Sequence, residues 1–384
     1  MSLRAVTICF LGLAVAPDLR AKEPRQIQES GGTFVGSLGC KSSSCHGGAG
    51  PKRSQYFTWS QKDFHTKAYA VLVDSRSQRI AEGLGIPAAQ TSARCTVCHS
   101  PLQSVAMTRL APNAHPDEGV SCETCHGAAG GWLRGHTRKD WTYSTRVGAG
   151  MRDLRSLYVR ATACAACHQN LEPQILKAGH PDLFFELDSQ SVAEPKHWKD
   201  DDSWSGLREW LTGQAVALRE MSWALASEPK SDDWSIARWN GLAWLCATAT
   251  NAAAISSPVS QPSTSPNGSD FANMQTQADA LARRAAVSNW SEVSAQNLLT
   301  ALAALDAEFS AKSAAAPVLG QRAKRLVLAL DRLTNALKEN RGFRLKIEPE
   351  LNQLFQDVKT LDSFDATAFA SHLRAFHAAL DKAG

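Results

Sequence analysis

Cys95-Thr-Val-Cys98-His99, Cys122-Glu-Thr-Cys125-His126 and Cys164-Ala-Ala-Cys167-His168 repeat one five-residue pattern. Two thiols a helical turn apart can each add to one of two neighbouring vinyl groups on a porphyrin edge. The histidine that follows at once then points its imidazole beneath the ring, so C-x-x-C-H is the attachment pattern of c-type haem. Random placement of 10 Cys and 11 His in 384 residues would yield about 0.007 such patterns. Structural zinc also uses C-x-x-C pairs but does not require histidine directly after the second cysteine. A thioredoxin-like redox pair would come once, on a βαβ unit.

A fourth site, Cys40-Lys-Ser-Ser-Ser-Cys45-His46, keeps the Cys-His adjacency but spaces its thiols more widely. A longer loop can still bridge both vinyl groups; the other reading is a Ser/Gly-rich loop with a disulfide or a single thioether. The sequence therefore predicts four c-type haems. They attach through Cys40, Cys45, Cys95, Cys98, Cys122, Cys125, Cys164 and Cys167, with His46, His99, His126 and His168 as proximal iron ligands. Cys246 lacks both a partner and a following histidine and reads as a buried thiol.

Whether each iron has a sixth ligand separates a carrier from a catalyst. His65, His136 and His180 are the leading distal candidates, and His115, in a Pro-rich loop, is a further one. His197, in the charged run Glu194-Pro-Lys-His-Trp-Lys199, ranks below these, and His372 and His377 fall outside the motif-bearing region.

Gly119-Val-Ser-Cys-Glu-Thr-Cys-His-Gly127, Trp132-Leu-Arg-Gly-His136, Ala178-Gly-His-Pro-Asp-Leu-Phe-Phe-Glu-Leu187 and the helix-like run from His65 together resemble the tetrahaem cytochrome c-554 family over about residues 34 to 190. The resemblance implies an exported electron carrier with closely packed, mostly bis-histidine haems. It implies His136 as the distal ligand of the first haem, His65 as that of another, and an open iron at the haem of His99. The widened first motif and the long haem-free remainder depart from the family pattern.

The expected fold is mainly α. A signal peptide over 1–21, with Arg4 and an apolar Ala5 to Ala16, precedes a tetrahaem domain over 22–202. That domain needs only short helices, because four porphyrins supply its apolar core, and almost no sheet is expected. A Trp-rich helical hairpin over 203–255 then packs on the haem domain, with helices at 203–227 and 233–254. Seven of the 11 Trp lie between Trp198 and Trp244, and core packing is the preferred reading of them over electron hopping. A Ser/Pro/Asn/Gly-rich linker, 256–270, leads to a helical bundle over 271–384. There Leu326, Leu330, Leu333 and Leu337 recur at helical spacing, as do Leu351, Leu354, Val358 and Leu361. Asn289 with Glu292 reads as a helix start, and Arg341-Gly342 as a stop.

The formal charge of +4 falls to about −1 with four ferric haems and about −5 with ferrous ones, once signal loss and eight propionates are counted. Nucleic-acid binding is therefore not supported. After the signal, no apolar run approaches the roughly 18–20 residues of a membrane span. The function expected is electron transfer between redox partner proteins outside the cytoplasm. The alternative is a multihaem redox enzyme acting on a small nitrogen or sulfur compound at one five-coordinate haem.

Overall fold

The structure, a computed structural model, describes residues 31–198, 204–228, 231–252, 259–263, 265–310, 314–341 and 347–383. The signal peptide, the 203 boundary, most of the linker's beginning and the Gly342 helix stop lie outside the described residues. The protein is 66% helix and 1% strand, the latter reduced to a bridge between Phe34 and Leu110.

Helices in the first part are short. They are α1 (Gln55–Lys62), α2 (Ser75–Leu84), α3 (Ala93–His99), α4 (Cys122–His126), α5 (Tyr143–Gly148), α6 (Leu157–His168), α7 (Pro173–Lys177) and α8 (Leu187–Ala193). Their limits follow local chemistry. Asp74 caps α2 by accepting the Ser77 N–H at 2.8 Å, and Gly85 ends it in the left-handed conformation, φ 64°. The three short motifs occupy the ends of α3, α4 and α6, and each helix stops at its motif histidine. Cysteines three apart thus share a helix face with the histidine one residue on. The wider first motif turns back on itself: Cys45 N–H donates to Ser42 O at 2.9 Å and His46 N–H to Cys40 O at 3.2 Å. Gly47 follows because a Cβ there would lie 1.7 Å from Lys41 O.

Beyond residue 204 come α9 (Ser205–Ala226), α10 (Asp233–Ala252), α11 (Gly268–Ala285), α12 (Glu292–Ala303), α13 (Asp306–Ser310), α14 (Ala316–Arg341), α15 (Glu348–Asp357) and α16 (Ala366–Ala383). Both hairpin helices thus form close to their expected limits. Trp210, Trp239 and Trp244 are at most 2% exposed, in keeping with core packing. Cys246 is fully buried, and burial pushes its thiol up to about 12. Leu326, Leu330, Leu333 and Leu337 all face the core. Helix α12 starts at Ser291 rather than Asn289, because the Ser291 hydroxyl accepts the Ser294 N–H at 3.2 Å. Leu361 lies beyond the end of α15, in a short 3₁₀ turn (Leu361–Ser363).

Two large apolar cores occupy this second part. One joins α9 and α10 to α12, α14, α15 and α16. The other joins α9, α10 and α11 to Leu157, Ala161 and Ala165 of α6, the helix bearing the fourth motif. Val259, within the stretch read as a linker, is 5% exposed and belongs to this second core. The helices without a motif are therefore packed directly on the motif-bearing region. Among the described residues no helix is long and apolar enough to cross a membrane.

Candidate functional site

Cores within residues 31–156 are small: Phe34, Leu102, Val105 and Ala128 form one, and Leu72, Ala81 and Ala89 another. In place of a larger core stands a cavity of about 1940 Å³. A pocket for one small organic ligand measures roughly 300–1,000 Å³, so this space suits several large planar groups. All eight motif cysteines line it, with the four motif histidines and His65, His136, His180 and His197.

Those eight histidines face one another in four pairs. Ring centroids lie 6.2 Å apart for His46 and His136, 6.1 Å for His65 and His168, 6.2 Å for His99 and His180, and 6.1 Å for His126 and His197. A metal–imidazole bond is about 2 Å long and the centroid lies about 1.1 Å beyond the nitrogen, so two imidazoles sharing one metal stand roughly 6.2 Å apart. Every pair joins one motif histidine to one histidine outside the motifs. The residues present therefore fit four bis-histidine haems. Ring planes differ: 15° apart for His46 and His136, but 83°, 72° and 55° in the pairs of His168, His99 and His126.

At six of the eight, one ring nitrogen is tied back, which leaves the other toward the gap. Nδ1 of His46 lies 3.1 Å from Gln55 Oε1, that of His99 3.0 Å from Ala68 O, that of His136 2.5 Å from Leu133 O, and that of His180 2.8 Å from Pro181 O. The Gln190 amide lies 3.3 Å from Nδ1 of His168. His65 differs in facing two carboxylates, Asp63 Oδ1 at 3.0 Å and Glu194 Oε2 at 3.3 Å. Hydrogen bonds that the His65 ring donates to Asp63 and then Glu194 push His65 up to about 10. Burial pulls His126 and His168 down to about 4 and lowers His99 too, keeping these rings neutral with a lone pair free for a metal.

The motifs are also linked to one another. The chain just ahead of the first motif is bound to the third through Glu123, and α3 and α6, which carry the second and fourth motifs, contact each other. Glu123, inside the third motif and 1% exposed, ties the chain ahead of the first motif to the third motif and to the turn that follows it. Its carboxylate accepts the N–H groups of Val35, Gly36 and Ala129 at 2.9, 2.7 and 2.6 Å. Glu118 adds the Ser37 N–H at 3.0 Å and its hydroxyl at 2.6 Å.

Of the predicted distal histidines, His65, His136 and His180 stand opposite motif histidines. His115 does not: it is exposed and lines a separate small hollow with Tyr56, Trp59 and Glu118. His197 stands opposite His126 instead. Sequence reasoning missed Glu123, Asp63 and Glu194 altogether. The Asp63-Phe-His65 spacing is a detectable signal, whereas Glu194 is adjacent only in space.

Residues 40–127 match the family model of cytochrome c554 and c-prime. The matched stretch carries the first three motifs, and the fourth lies beyond it. That stretch is similar to multihaem c-type cytochromes, a family of haem-binding electron carriers with redox partners. No curated protein and no solved structure gives a significant match to the chain.

Proposed function

We propose that this chain is an exported tetrahaem cytochrome that relays electrons between redox partner proteins through four bis-histidine haems. The observation that carries the reading is the set of four histidine pairs spaced 6.1 or 6.2 Å apart around one cavity. Haem, when bound, supplies one-electron chemistry by cycling between ferric and ferrous iron. The chain's own work is to hold the groups close together and to tune them. His46/His136, His99/His180, His126/His197 and His168/His65 are the ligand pairs in this reading.

The enzyme alternative needs an open iron, which the family resemblance puts at the haem of His99. His180 stands 6.2 Å from that imidazole, and its presence there weighs against substrate access. Export fits the chemistry of c-type haem, and the signal peptide over 1–21 is part of this proposal.

Electron paramagnetic resonance of the oxidised holoprotein tests the ligation. We expect no high-spin ferric signal and no carbon monoxide binding to the reduced protein. The near-parallel His46/His136 rings predict one ordinary rhombic low-spin signal, and the crossed rings predict strongly anisotropic ones. One equivalent of carbon monoxide or more would move the reading toward catalysis.

A further inference from the structure

Residues 180–198 contribute to the ligation of three haems at once. His180 faces His99, Gln190 touches His168, Glu194 holds His65, and His197 faces His126. Yet between His180 and Glu186 the backbone has no regular structure. A stretch without a hydrogen-bond ladder must be fixed from outside if its side chains are to stay in register.

The fixing comes from the haem-free helices. Arg238 of α10 donates to Leu183 O at 2.5 Å and pairs with Asp182 at 3.1 Å. Arg325 of α14 lies 3.8 Å from the Phe184 ring centroid and 3.4 Å from Glu186. Gln214 of α9 donates to the other Glu186 oxygen at 2.8 Å. One helical stretch further along α14, Arg332 pairs with Asp188 and donates to Ser189 at 2.5 Å. Gly213 lets α9 come against Leu187, since a Cβ there would lie 2.7 Å from the leucine Cβ.

These charges are buried: Arg325 is 2% exposed, Asp188 4%, Arg238 8% and Glu186 9%. Buried ion pairs of this kind add little net stability over apolar packing, but they fix geometry, and losing one partner strands the other. An interface made only to bury area would be as stable with apolar side chains.

We propose that the haem-free C-terminal half is a ligand clamp: its arginines pin residues 182–189 and thereby keep His180 on the second haem. This rests on the reading of His180 as an iron ligand. The clamp closes the position that the family resemblance leaves open, and Arg238 and Arg325 act as positioning residues, since neither touches the cavity.

The test uses full-length holoprotein with all four haems, checked by mass. His180→Ala should create a high-spin ferric signal and bind about one equivalent of carbon monoxide. Arg325→Met and Arg238→Met should each bind carbon monoxide at subsaturating gas, with a bound fraction about tenfold or more above the detection limit at which the unmodified protein shows none. Arg325→Lys, which keeps charge but not the planar fork, should fall between. Arg374→Met breaks an exposed ion pair to Asp306 elsewhere in the bundle and should leave the fraction unchanged. If His180→Ala binds no carbon monoxide, the ligand reading itself fails. If His180→Ala binds it but both arginine variants stay at the unmodified level, the clamp is overturned. An equal rise in Arg374→Met would also overturn it, by reducing the effect to general loosening. Should Arg325→Met not accumulate, Arg238→Met and Arg325→Lys decide on the same criteria.

Discussion

Residues 31–156 and residues 205–383 solve the same problem by different means. The second region buries aromatic and aliphatic side chains in two large cores. The first buries only small clusters and supplies most of the wall of a cavity of about 1940 Å³ lined by thiols and imidazoles. Folding has to bury enough apolar surface to offset chain entropy. Where side chains do not supply that surface, the cofactor must. The stability of the first region is therefore conditional on haem in a way that of the second is not.

The largest expected effect breaks the comparison at that point. In the proposed reading, changing both Cys122 and Cys125 to Ser leaves the third haem without thioethers. Amide hydrogen exchange read by mass spectrometry should then show residues 31–156 exchanging at near-unfolded rates. Residues 259–303, packed in side-chain cores, should keep their protection. Protection of both regions in the haem-deficient protein would show that the first has a core of its own.

A smaller effect approaches from the other side. Phe369 is fully buried in the second region and packs edge-on against Phe309, with centroids 4.7 Å apart. Phe369→Ala should cost about 3–5 kcal/mol of unfolding free energy in a denaturant titration followed by far-ultraviolet circular dichroism. The haem absorption spectrum under native conditions should be unchanged, because none of the described contacts of Phe369 reaches a haem ligand. A shifted spectrum would mean that the bundle is coupled to ligation far more widely than through its arginines.

The two regions were also legible for different reasons. Motif spacing points to haem chemistry directly, so eight cysteines and four histidines could be proposed as an attachment set from three short patterns and one wide one. Apolar spacing states helices directly, so the Leu326 to Leu337 face could be named as well. What neither code contains is which groups from distant segments stand across a gap. His115 and His197 both sit in polar, Pro-containing runs, and local sequence ranked them in the wrong order relative to the observed geometry. His197 gains its place from the course of the chain after α8, which local composition does not encode. The arginines on α10 and α14 were invisible for the same cause, since a buried ion pair between segments about 56 and 139 residues apart has no local signature.

The smallest predicted effect separates the four haems from one another. At His46, His99, His136 and His180 the outer nitrogen faces a neutral oxygen. At His65 it faces Asp63 at 3.0 Å and Glu194 at 3.3 Å. A carboxylate acceptor draws the Nδ1 proton away from the ring, makes the imidazole a stronger donor to iron, and stabilises ferric over ferrous haem. The haem of His168 should therefore have the lowest potential of the four. Removing the closer charge with Asp63→Asn keeps the shape but weakens a charge-assisted bond worth about 1.5–3 kcal/mol. Only the part of that energy that differs between oxidation states reaches the potential, so a rise of up to on the order of 60 mV is expected. Spectroelectrochemical titration should show one of four one-electron steps move upward and three stay in place. A uniform shift of all four would point to a change in overall charge, and no shift would remove the carboxylates from the tuning of this haem.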